Sequence, residues 1–251
     1  MRVKTFIMAT SAIGALALSA GVASAEPNGW YGAIDAGWHS ADVASNRGVE
    51  FEVEDDWAGF ARLGYRFNDN WRVEFEGGYR PGEIGEVFVA SGAPFVCNVT
   101  PAVGTCAPMT DGDLEATTFM ANVIYDFGTA DSNVRPFIGL GAGVNRVHTK
   151  FLGTLASNRA VFFAADDSST DLAAQAIAGL AFALGDRGHL DITYRYLISN
   201  MEVEAFTSAA NPSSGFYPAR YEDHSLTVGL RYAFGAVEPA YIAPPPPPPP
   251  P

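Results

Sequence analysis

Apolar and polar residues alternate along this chain in runs of about ten, the period-two pattern of strands with one apolar and one more polar face. In the first run Trp30, Gly32, Ile34, Ala36 and Trp38 share one side, and Tyr31, Ala33, Asp35 and Gly37 share the other. The second sets Trp57, Gly59, Ala61, Leu63, Tyr65 and Phe67 against Ala58, Phe60, Arg62, Gly64 and Arg66. The third sets Trp71, Val73, Phe75, Gly77 and Tyr79 against Arg72, Glu74, Glu76, Gly78 and Arg80. Further strands are predicted over 117–127, 135–147, 172–184, 189–196 and 224–234. The facing of 117–127 is less clear, because Met120 and Ile124 share parity with Asn122 and Asp126. Eight strands is an even number, as closure of an antiparallel up-and-down barrel requires.

Connections alternate in length. Long ones are predicted at 40–56, 81–113, 148–170 and 197–221, short ones at 68–70, 128–134 and 185–188. Short periplasmic turns and long extracellular loops are the asymmetry of transmembrane barrels, and they place both barrel ends in the periplasm. A soluble lipocalin-type barrel alternates equally well, so further features are needed to separate the two. All four tryptophans, Trp30, Trp38, Trp57 and Trp71, fall at strand ends, where an interfacial aromatic girdle sits. The last strand ends on Phe234, and the loop asymmetry runs the length of the chain.

The N-terminus agrees. Arg2 and Lys4 precede an apolar stretch from Phe6 to Val22, and Ala23-Ser24-Ala25 has the small-x-small spacing of a secretory cleavage site. The expected organisation is a signal peptide at 1–25, a barrel domain at 26–235 and a proline-rich periplasmic linker or tail at 236–251. Without the signal, 13 basic residues face 28 acidic ones. That balance excludes nucleic acid as a partner and a polybasic membrane-surface role. Cys97 and Cys106 are the only cysteines, and in an oxidising compartment they are expected to pair within one loop. The histidines at 39, 148, 189 and 224 lack ligand spacing, so no metal or cofactor is expected.

In its last strand, Thr227-Val228-Gly229-Leu230-Arg231-Tyr232-Ala233-Phe234 resembles the C-terminal signal of outer-membrane barrels, with Thr227, Gly229, Tyr232 and Phe234 at the defining positions. Together with the segments 135–143, 120–127 and 190–196, it makes residues 29–234 similar to the OmpA-like transmembrane domain family of small outer-membrane β-barrels. The resemblance implies that the barrel-assembly machinery reads this strand, and that the protein lives in the outer membrane of a Gram-negative cell. Members of that family often continue into a peptidoglycan-binding domain. Binding to the wall is therefore expected only through a domain outside this sequence, with Pro244–Pro251 as a polyproline II spacer.

If the apolar face meets lipid, the other face fills a lumen too narrow for open water. The inward polar set is Asp35, Arg62, Arg66, Arg72, Glu74, Glu76, Asn122, Asp126, Gln175, Asp191, Arg195 and Arg231, balanced between acids and arginines. Around the turn at 68–70, Arg62 falls opposite Glu76, which predicts an ion pair. The expected function is structural: support of the envelope by a barrel with at most a narrow pore, in contact with outer-membrane lipid and lipopolysaccharide. Arg80, Arg146, Lys150 and Arg220 are candidates for lipopolysaccharide phosphates at the rim. One alternative is adhesion or extracellular ligand binding through the long loops. A remote one is a lipid A-modifying enzyme. No catalysis is expected, because His224 and Ser225 are adjacent in a strand and point to opposite faces.

Overall fold

Residues 27–234 are described in the computed structural model, apart from 46–47, 90, 92, 100–105, 107–111, 130–131 and 209–212. The expected signal peptide and proline-rich tail lie outside the described residues. The strands are β1 (Gly29–Ser45), β2 (Val49–Val53), β3 (Asp56–Arg66), β4 (Trp71–Arg80), β5 (Ile84–Val89), β6 (Pro94–Cys97), β7 (Gly112–Asp126), β8 (Val134–Leu155), β9 (Asn158–Leu184), β10 (Gly188–Thr207) and β11 (Ser213–Ala233).

Their pairing closes twice, at two levels of one barrel. At the lower level the order is β1-β3-β4-β7-β8-β9-β10-β11, and β11 returns to β1. At the upper level β2, β5 and β6 stand where β3, β4 and β7 stand below: β1 pairs β2, β2 pairs β5, β5 pairs β6 and β6 pairs β8. The consecutive pieces β2 and β3, then β4 and β5, then β6 and β7, are thus three staves interrupted at 54–55, 81–83 and 98–111. The other five staves run through unbroken. All the ladders are antiparallel, and the count of eight staves holds at both levels.

This corrects the expected loops. Segments 148–170 and 197–221 are mostly continuations of β8, β9, β10 and β11, with β8 and β9 separated only by residues 156–157. The short connections fall where expected, between β3 and β4, β7 and β8, and β9 and β10. The ladder between β9 and β10 shifts register between Ser199 and Ala205. Across that gap the Ser169 hydroxyl accepts the Glu202 amide, and the Asp167 carboxylate accepts the Glu204 amide, so side chains replace the missing rungs.

The two levels differ in what they bury. In the lower barrel Trp30, Ile34, Trp38, Phe75, Leu140 and Leu230 point outward and are about half exposed or more. The four tryptophans are 48–69% exposed, and Trp38 pairs with Trp57 at the outer limit of the apolar band while Trp30 and Trp71 mark the inner one. Above that limit the same outward face carries Ser40 and Asp42 on β1 and Glu222 and Arg220 on β11. The inward face there becomes apolar: Ala41, Val43, Val49, Ile84, Leu114, Phe151, Phe163, Leu197, Met201 and Val203 form one buried cluster. Cys97 and Cys106 are disulfide-bonded, closing a loop onto the buried end of β6.

Candidate functional site in the barrel lumen

Strand parity alone brings the lumen residues to the inner wall, and barrel closure then sets their partners. Asp35, Arg62, Arg66, Arg72, Glu74, Glu76, Asn122, Asp126, Gln175, Asp191, Arg195 and Arg231 all face inward, none more than 5% exposed. At the centre Arg62 bonds three carboxylates. Its Nε donates to Asp35 at 2.6 Å, its Nη1 to Glu74 at 3.1 Å and its Nη2 to Asp191 at 3.0 Å. Glu74 also accepts from Arg72 and from the Tyr31 hydroxyl, each at 2.8 Å. Asp191 holds Arg231 at 3.1 Å. Arg195 joins Glu76 at 2.9 Å and Asp35 at 3.4 Å and donates to the Thr227 hydroxyl. The Gln175 amide bridges Glu76 and Asn122.

The register sets Arg62 beside Glu76, as the turn at 68–70 predicts. The ion pair does not follow, and Glu76 pairs with Arg195 instead. Arg62 instead bonds Asp35 and Glu74 on the two neighbouring strands, β1 and β4, and reaches Asp191 on β10, which a narrow barrel of eight staves brings within the length of its side chain. A chain of alternating charges results, each desolvated group meeting an opposite one.

Two further clusters cap this centre. Toward the periplasm, Asp126 contacts Arg72 at 3.1 Å and Arg66 at 3.4 Å, and the Asp69 carbonyl accepts from both Arg66 and Arg135. Toward the outside, Asp223 accepts from Arg80 at 2.9 Å and Ser225 at 2.5 Å, and its other oxygen faces His39 Nδ1 at 2.7 Å. His39 Nε2 faces the Pro81 carbonyl at 2.5 Å. Both ring nitrogens of His39 therefore face oxygen atoms. Arg80 also lies 4.6 Å over the Phe60 ring, with Arg195 4.2 Å over the same ring.

Arg80, expected at the rim, is thus a lumen residue with no exposure, because it shares parity with Arg72, Glu74 and Glu76. Arg135, His39 and Asp223 were likewise missed as lumen groups. The first has the parity of Phe137 and the inward glycines of β8, and Asp223 that of Thr227 and Arg231. Gly229 sits directly over Asp35: a Cβ there would stand 1.9 Å from its carboxylate. Gly141 likewise leaves space for Asn122, whose Oδ1 would lie 1.9 Å from an added Cβ. Thr227 is a lumen residue, whereas Tyr232 and Phe234 are on the lipid side, and the Phe234 amide closes the barrel on the Trp30 carbonyl.

A closed antiparallel barrel with an apolar belt, aromatic girdles and a charged interior points to the outer membrane, and comparison with known proteins agrees. The family model described as outer membrane protein beta-barrel domain matches residues 9–234. The chain belongs to that family. It is an outer-membrane protein. A curated relative named outer membrane protein, from Gluconacetobacter diazotrophicus, is 28% identical over 214 residues, covering 80% of this chain; the chain spans about half that relative's length, 52%. Similar solved structures include Neisserial surface protein A, at 20% identity and TM-score 0.47, covering 82% of this chain and 97% of that one. Another is the outer membrane protein OprG from Pseudomonas aeruginosa, at 18% identity and TM-score 0.47, covering 84% and 99%.

Proposed function

We propose that this barrel is a non-catalytic structural element of the outer membrane, stoppered at two levels so that no solute has a steady path through it. The observation that carries the reading is the lumen network, whose twelve polar residues are each at most 5% exposed. Above it sits the apolar cluster from Ala41 to Tyr221. A polar solute would first have to part the Arg62, Arg195 and Arg72 ion pairs and then shed its water beside Leu197 and Phe163. Its partners in this reading are outer-membrane lipid and lipopolysaccharide, with the barrel-assembly machinery engaging the strand that ends at Phe234. Peptidoglycan would be reached only through a further domain.

Single-channel recording in planar bilayers tests this. The expected trace lacks any steady open level of general-porin size, and a stable level of that size overturns the stopper. The non-catalytic reading rests on the outer cluster. Ser225 and His39 both bond Asp223 rather than each other, and His39 Nε2 is turned to Pro81, so the histidine is not placed to activate the hydroxyl as in a serine–histidine pair. Mass spectra of lipid A after overexpression are expected to be unchanged, whereas loss of an acyl chain would show the barrel to be an enzyme.

A further inference from the structure

On the outer wall of the upper barrel, the apolar-inside rule is locally broken. Leu152 and Phe206 point outward and are 50% and 49% exposed, with Phe162 and Phe216 beside them at 44% and 60%. Register makes them neighbours: Leu152 lies opposite Ala164, and Ala164 opposite Phe206, in one row across β8, β9 and β10. This row lines a cleft of about 600 Å³ whose other lining includes Asp113, Asp166, Glu204 and Lys150. The cleft lies beside the point where the β7 ladder on β8 ends at Phe151 and the β6 ladder begins at Thr154.

Lipid does not account for these side chains. Ala164 is eight positions along β9 from the lipid-facing Leu172, a rise of about 20 Å for a tilted strand. The charged row of Lys150, Asp166 and Glu204 lies between them and the bilayer. Exposed apolar side chains gathered in a concave site mark a binding surface rather than scattered surface residues. The polar groups state the sign of the partner, since three carboxylates surround the apolar row against one ammonium.

We propose that this cleft docks a cationic amphipathic peptide segment of an extracellular partner. An apolar side chain of the segment seats between Leu152 and Phe206, and flanking Lys or Arg groups meet Asp113, Asp166 and Glu204. The proposal is independent of whether the lumen conducts.

The test uses the full barrel in phosphatidylcholine nanodiscs and a fluorescent, acetylated peptide of alternating leucine and lysine, read by anisotropy against empty nanodiscs. Saturable binding is expected, weakening with salt as the carboxylates are screened. Leu152→Ser with Phe206→Ser is expected to weaken it about tenfold or more. Asp166→Asn with Glu204→Gln is expected to weaken it and flatten the salt dependence. All four positions are exposed, and heat-modifiable gel migration reports that each variant is folded. The charge pair provides the answer should the apolar pair fail to fold. The proposal is overturned by equal binding to either folded variant or by equal binding of the leucine–glutamate counterpart. It is also overturned if the wild-type barrel binds only after residues 98–111 are removed, which makes this chain's own segment the occupant. Self-association that is lost in the Leu152→Ser, Phe206→Ser protein would make a second copy the occupant and overturn it equally.

Discussion

The lower and upper halves of the barrel are made from the same staves and obey opposite rules. Along β1 the outward positions read Trp30, Gly32, Ile34, Ala36, Trp38 and then Ser40 and Asp42. The inward positions read Asp35, Gly37, His39 and then Ala41 and Val43. Along β11 the change falls between Leu226 and Glu222 outside, and between Ser225 and Tyr221 inside. Backbone facing does not change at the crossing; the surroundings do. Below Trp38 the outer medium is hydrocarbon, so charge is kept inside and must be paired. Above it the outer medium is water, so the interior is packed as in a soluble protein. The His39–Asp223–Arg80 cluster sits at the crossing, where the polar interior gives way to the apolar one.

The contrast is open to test by mutation. The largest effect is expected from Arg62→Met, which leaves Asp35, Glu74 and Asp191 short of a shared partner in a dry lumen. A loss of about 3–5 kcal/mol is expected from equilibrium urea unfolding in lipid vesicles followed by tryptophan fluorescence. A loss under about 1 kcal/mol would mean that water enters the lower half.

Next in size is a pair of changes on one face of β11. Leu230→Arg puts a charge against hydrocarbon and is expected to cost about 2–4 kcal/mol by the same measurement. Arg220→Leu, ten residues away on that face, loses a half-exposed pair with Glu222 and a contact with the Tyr196 hydroxyl, and is expected to stay within about 1 kcal/mol of wild type. Similar costs at the two sites would abolish the distinction between the halves. The smallest of the stability effects expected within the lumen is Gly229→Ala. Its methyl group would displace the Asp35 carboxylate from Arg62 at a cost of about 1–3 kcal/mol, with slower appearance of the compact band on unboiled gels.

Much of the lower half was readable in the chain. Lipid outside and charge inside write a period of two into Trp30–Trp38, Trp57–Phe67 and Trp71–Arg80, and the strands were expected there. The upper half was expected as loops for a physical reason. At Ser40 the alternation continues with its phase reversed, and a phase reversal looks like the end of a strand when lipid is assumed outside throughout. The same reversal runs through 197–205, whereas in 148–170 the run Asp166-Asp167-Ser168-Ser169-Thr170-Asp171 is polar on both faces and reads as a loop. Arg80 was expected at the rim because it ends a strand, although its parity with Glu76 already pointed inward.

Facing is a local property of an extended backbone, so short windows of this chain were enough to assign the inner and outer walls of the lower barrel, the girdle positions and the closing Phe234. Partnership is not local. Arg62 meets Asp191 across 129 residues, Arg195 meets Glu76 across 119, and Arg80 meets Asp223 across 143. Those contacts, the apolar core above the membrane and the cleft beside Leu152 exist only once the eight staves have closed. Closure brings opposite walls within the length of one arginine, and no window of sequence contains both walls.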